Sequence, residues 1–155
     1  MTKQGFTLVE LLIVVTILVT LLGVGLASFN TFNRRERLKQ AALTLKSNLR
    51  FAQTKSISVE KPTSGCTEFV GMTVRFTAST YTVIHECTPE GDVGEAETVT
   101  LAGMTFSPIP SEFTFISRSN SLSPSATQTL TLVNGRETYV LTVAANGSVS
   151  DGGFQ

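Results

Sequence analysis

Tryptophan is absent from the 155 residues, histidine occurs once and cysteine twice. A protein zinc centre takes about four His, Cys or carboxylate ligands, and an imidazole-based triad needs a histidine with partners. His85 stands near Cys87 in a predicted strand without neighbouring ligands, so a packed or surface role is expected of it. No catalytic residue, metal ligand or cofactor site emerges, and an enzyme is not expected. Charge is also sparse: Lys plus Arg and Asp plus Glu number 12 each and the formal net charge is zero. No overall field recruits nucleic acid or anionic lipid, and the length leaves room for one ordinary domain.

The neutral total hides an asymmetry. From Arg34 to Lys61 the basic residues Arg34, Arg35, Arg37, Lys39, Lys46, Arg50, Lys55 and Lys61 meet only Glu36 and Glu60. Beyond Lys61 the bases are Arg75, Arg118 and Arg136, against nine acids. Ahead of both lies an almost wholly apolar run, Phe6 to Phe29, with no charge between Glu10 and Arg34. About 20 apolar residues cross a hydrocarbon core, whereas a secretory signal has an apolar stretch of roughly 7 to 15 followed by a small-residue cleavage site. The run predicts a membrane span over residues 6–33. Lys3 weighed against Arg34, Arg35, Arg37 and Lys39 favours a cytoplasmic body. Cys66 and Cys87, about 20 residues apart in a strand-rich section, favour a disulfide and hence an exported body; two reduced core thiols are the alternative. Glu10 is the anomaly, because a carboxylate in a span calls for a partner or a position at the headgroups.

The stretch Lys3-Gln4-Gly5-Phe6-Thr7-Leu8-Val9-Glu10-Leu11-Leu12-Ile13-Val14 resembles the class III leader and N-terminus of type IV pilins and type II secretion pseudopilins. It joins a short polar leader with a basic residue, Gly5 before the cut, Phe6 after it, and Glu10 at the fifth mature position. The resemblance implies a leader over residues 1–5, cleavage between Gly5 and Phe6 by a prepilin peptidase that is also a methyltransferase, and N-methylation of Phe6. It also implies pairing of Glu10 with the Phe6 amine of a neighbouring subunit. Removing the segment ahead of the span keeps the helix, so the product stays in the bilayer until it is drawn into a filament.

Leu38, Ala41, Ala42, Leu45, Leu49 and Ala52 recur at three- and four-residue spacing, which predicts an amphipathic stem helix over 34–57 that continues the span. From Phe6 to about Ser56 such a helix measures roughly 75 Å. Many pilins have a proline that loosens the middle of the stem; this chain lacks it and offers Gly23 and Gly25. The remainder, 62–155, reads as short strands: Glu68 to Thr77 and Thr80 to Cys87 as a hairpin, then Glu97 to Leu101, Glu112 to Ser117, Thr127 to Val133, Glu137 to Ala144 and Ser148 to Ser150. Asn134-Gly135 and Asn146-Gly147 mark turns; the second is read as a turn ahead of a glycosylation acceptor. The acids from Glu86 to Glu97 fit no recognised calcium loop and read as a solvated acidic loop.

The expected fold is α+β and pilin-like, a long N-terminal helix packed on an antiparallel β-sheet head. Within that superfamily the helix end Leu45 to Ser56 and the last strands, Thr129 to Gly135, Tyr139 to Val143 and Gly147 to Val149, resemble the minor pseudopilins of the GspH/FimT group. The resemblance implies a structural minor subunit of a type II secretion pseudopilus or type IV pilus. Its partners are other pilin or pseudopilin subunits, the prepilin peptidase, an inner-membrane assembly platform and membrane lipid, with the head outside the cytoplasm. The alternative is a membrane-anchored DNA-uptake or adhesive tip protein. Some FimT-like proteins bind DNA through basic residues at the C-terminal end, but Ala145 to Gln155 holds only Asp151 as a charged side chain, which argues against nucleic acid.

Overall fold

The computed structural model describes residues 7–155, excepting the side chains of 22–28. The expected leader 1–5, Gly5 and Phe6 therefore lie outside the described residues. The chain forms two compact units, Met1–Glu36 and Arg37–Gln155. The stem belongs with the sheets rather than with the apolar run.

A single helix, α1, runs over Leu8–Ile57. Leucine, alanine, lysine and arginine favour helix throughout the stem. Thr7 opens it: its carbonyl accepts the Leu11 N–H at 3.2 Å and its hydroxyl accepts the Glu10 N–H at 3.2 Å, satisfying donors that every helix start leaves orphaned. At the other end the Lys55 carbonyl accepts the Glu60 N–H and the Ser56 carbonyl accepts the Val59 N–H. Val59 there adopts a positive φ of 56°, the left-handed stop at which glycine is usual. Its side chain packs against the core.

In the apolar unit the side chains from Leu8 to Leu21 are exposed. Among the described residues no helix is long and apolar enough to cross a membrane. The expected span 6–33 includes Phe6 and the side chains of 22–28, which lie outside the described residues.

The second unit carries two antiparallel sheets. Five strands, β1 (Glu68–Phe76), β2 (Thr80–Thr88), β3 (Gly91–Thr100), β5 (Phe113–Ile116) and β6 (Leu122–Ser123), run in the order β3-β2-β1-β5-β6. Four more, β4 (Thr105–Phe106), β7 (Gln128–Asn134), β8 (Glu137–Val143) and β9 (Val149–Phe154), run β4-β7-β8-β9. Alternation places Leu130, Leu132, Tyr139, Leu141 and Val143 on the inner face of the second sheet, all buried. The stem supplies the other wall, with Leu38, Ala42, Leu45, Leu49 and Ala52 completely buried in one cluster with both sheets. Burying a leucine contributes about 1.5 to 3 kcal/mol, so this stripe is a principal attachment of the helix to the head.

Three expectations are corrected. Of the acids from Glu86 to Glu97, Glu86 lies on β2 and Asp92, Glu95 and Glu97 on β3, with only Glu90 in the turn between them: β2 and β3 register from Thr80↔Thr100 to Cys87↔Gly91, with an irregularity between Val83 and His85. The final strand extends to Phe154 instead of stopping at Ser150. Two short strands, β4 and β6, had no sequence signal, because a two-residue strand is defined by its neighbour's ladder and not by periodicity.

Candidate functional site: the N-terminal motif and the head that follows it

Of the motif residues, Glu10 is described. It lies in the first turn of α1, exposed, three residues after Thr7. A Thr-x-x-Glu spacing at a helix start is that of a capping box, and a carboxylate there faces the positive end of the helix dipole. The carboxylate is thus placed favourably within one subunit, and the spacing of Thr7 and Glu10 was the available signal. The structure does not bring Glu10 to an intrachain cation in any described ion pair.

The basic stem residues are placed by the second sheet. Lys46 Nζ donates to Asp151 Oδ2 at 2.7 Å and Tyr139 Oη donates to Asp151 Oδ1 at 2.6 Å. Arg50 donates to the Val149 carbonyl at 3.4 Å. Asp151 is held below the usual carboxylate range, first by Lys46 and then by Tyr139. Tyr139 is pushed up to about 12 by burial and by its bond to Asp151. Two stem cations are therefore engaged with β9, and the charge of Lys46 is offset by Asp151. On the first sheet Asn48 Nδ2 donates to Tyr81 Oη at 2.8 Å.

Ser56, completely buried, receives two elements at once. Its hydroxyl accepts the Met72 N–H at 3.0 Å and its carbonyl accepts the Arg118 N–H at 3.1 Å. Cys66 and Cys87 are bonded, with Cα atoms 5.5 Å apart, joining the segment after the helix to the end of β2. On the first sheet Arg75 bridges Glu112 at 2.9 Å and Asp92, so β1 is tied to the β5 approach and to β3, and its guanidinium pKa is raised by those two carboxylates. The Thr73 and Thr114 hydroxyls both donate to Glu86.

His85 packs beside Phe69, ring centroids 5.9 Å apart. Its Nδ1 is buried without a hydrogen-bond partner, and burial, followed by the Lys55 charge, lowers its pKa. It therefore favours the neutral imidazole. Among the described residues no group of three His, Cys, Asp or Glu side chains is arranged to hold a metal ion. Asn146 Oδ1 accepts the Ser148 N–H at 3.1 Å across Gly147, whose φ is +77°, so this triplet forms an Asx turn.

The architecture is thus a long helix, capped by a polar motif, with its second half laid on two antiparallel sheets. A family model described as the prokaryotic N-terminal methylation motif matches residues 1–26. The fold is pilin-like. Crystal structures of the type IV minor pilin FimU from Pseudomonas aeruginosa superpose in two crystal forms. One gives a TM-score of 0.57 at 16% identity, covering 77% of this chain and 91% of FimU; the other gives 0.55 at 14%, covering 74% and 91%. The sequence finds no significant match among curated proteins. The chain therefore has a pilin-like fold and an N-terminus that matches the prokaryotic methylation motif.

Proposed function

We infer that the chain is a minor pilin or pseudopilin, a structural and non-enzymatic subunit. Residues 1–5 are a leader removed by a prepilin peptidase between Gly5 and Phe6, Phe6 is N-methylated, and residues 6–33 anchor the subunit in the inner membrane. The head is exported and inserted, with other pilin-like subunits and through an inner-membrane assembly platform, into a type II secretion pseudopilus or a type IV pilus or its tip. The supporting observation is the methylation motif joined directly to a helix whose apolar side chains from Leu8 to Leu21 are exposed. A surface of that extent needs lipid or a neighbouring helix to cover it. The GspH/FimT likeness rests on the helix end and last strands. The test is intact-mass analysis of protein from its native host, which should show loss of Met1 to Gly5 and one methyl group on Phe6. An N-terminus near Ser28 would exclude this reading.

A further inference from the structure

Sheet edges leave backbone donors and acceptors unpaired, and proteins ordinarily cover, shorten or charge them. Here β4 and β6 are two residues long, and β9 is engaged by the stem through Lys46 and Arg50. The remaining edge, β3, is ten residues long and pairs only with β2 among the described residues, in two stretches, Gly91–Val93 and Glu97–Thr100, separated by a bulge over residues 94–96. Its early face is touched by the preceding loop: a β-carbon on Gly94 would lie 3.5 Å from Pro62 Cβ, and one on Gly65 3.4 Å from Val93 Cγ1. From Gly94 to Thr98 every residue is exposed. A strand of this length that buries so little side-chain surface is held mainly by one ladder.

The edge also carries its own selectivity. Asp92 is bound to Arg75, whereas neither Glu95 nor Glu97 is held in a described ion pair. Both line a cleft with Glu60, Lys55, Lys61 and His85. Lys55 is occupied there, 3.4 Å from Glu60 and 4.7 Å above the Phe51 ring. Pairing of β3 with β3 of a second copy would bring further carboxylates against Glu95 and Glu97, which is unfavourable. An extended segment with cationic side chains near the bulge meets opposite charge instead. Added strands bind in this way, main-chain bonds supplying affinity and alternate side chains supplying specificity.

We propose that β3 is a strand-addition site for an extended, Lys- or Arg-bearing segment of another protein, whose cationic side chains enter the cleft beside Glu95 and Glu97. The proposal concerns the head alone and does not depend on filament insertion. The probe is a seven-residue blocked peptide of alternating Val and Lys, added to the full chain in detergent micelles, with the alternating Val and Glu peptide as comparison. The Lys peptide should bind at least about tenfold more tightly than the Glu peptide and should slow amide hydrogen exchange in β3. Glu95→Lys with Glu97→Lys, both at exposed positions, should reverse the preference. Glu95→Gln with Glu97→Gln should abolish it while the slowed exchange persists for either peptide at high concentration. Equal binding of the two peptides, binding without slowed β3 exchange, no binding, or protection of β3 by self-association would each overturn the proposal.

Discussion

The Ser56 hydroxyl accepts the Met72 N–H at 3.0 Å inside the core, so one side chain near the end of α1 supplies a backbone bond to β1. Ser56→Ala would remove the acceptor and leave a buried N–H unpaired, a loss of about 1 to 3 kcal/mol. Urea unfolding should show a lower midpoint with an unchanged slope. An unchanged midpoint would mean that water replaces the hydroxyl.

Gly71 is restricted by space rather than by φ. A β-carbon there would fall 2.0 Å from the Phe115 carbonyl oxygen and 3.1 Å from Thr114 Cγ2, and a strand carbonyl cannot retreat without opening β1 from β5. Gly71→Ala should cost at least the roughly 1 to 3 kcal/mol of core overpacking. Gly135→Ala, at φ +66° with nothing within 4 Å, carries only backbone strain of about 1 kcal/mol. Thermal melts of the two variants should rank in that order.

These two residues also show where sequence reading stops. The stem was legible because Leu38, Ala42, Leu45, Leu49 and Ala52 repeat with the helical period, and Ser56 continues the same row four residues on; its polarity concealed it. The Asn134-Gly135 hairpin was legible from its turn chemistry, and β7 and β8 meet there at Asn134↔Glu137. Gly71 gave no signal, since its constraint comes from Phe115 on a strand far along the chain. The first half of β3 was illegible because Gly91, Asp92, Gly94 and Glu95 have low strand propensity; pairing with β2 orders Gly91 and Asp92, while Gly94 and Glu95 lie in a bulge. At the N-terminus the motif was readable residue by residue, whereas the pairing of Lys46 with Asp151 across 105 positions required the fold.

The Asp151 cluster sets a pH dependence with two limbs. Asp151 has a folded pKa below its ordinary value, so its contribution is present above the unfolded pKa and disappears as pH falls through the folded one. Tyr139 has a folded pKa raised to about 12; its contribution is complete below its ordinary value near 10 and is lost as pH rises through about 12. Denaturant midpoints measured against pH should fall below about pH 4 and above about pH 10. Asp151→Asn should flatten the acid limb, and Tyr139→Phe should flatten the alkaline one. An alkaline limb that survives Tyr139→Phe would assign it to another group.

The Cys66–Cys87 bond closes a loop of 21 residues' separation. Cross-linking a loop of that size stabilises by roughly 3 kcal/mol, chiefly through the unfolded chain. Replacing both cysteines by serine should lower the unfolding free energy by about that amount. Alkylation of native protein without reduction should label neither residue. Labelling of both would place the head in a reduced state and remove an argument for export.

Glu10 has two explanations that mutations can separate. As the third residue of α1, its N–H is capped by the Thr7 hydroxyl and its carboxylate lies at the positive end of the helix dipole; as the charge that the proposed assembly requires, it would pair with the Phe6 amine of an adjacent subunit. Thr7→Ala removes the hydroxyl that accepts the Glu10 N–H, costs about 1 kcal/mol of local helix stability, and leaves the carboxylate in place. Glu10→Val removes the charge and favours burial in lipid, so membrane insertion should persist or improve. If pairing between subunits dominates, Glu10→Val leaves the methylated Phe6 amine, still cationic, in an apolar core without a counter-ion, at a cost of about 3 to 5 kcal/mol. Mature Glu10→Val protein should then accumulate in membranes and be depleted from sheared filaments, while Thr7→Ala protein assembles nearly normally. Equal depletion of the two variants would assign Glu10 to the helix start, because the only feature they share is the damaged cap. Normal incorporation of Glu10→Val would remove both roles from assembly and leave the carboxylate at the membrane edge.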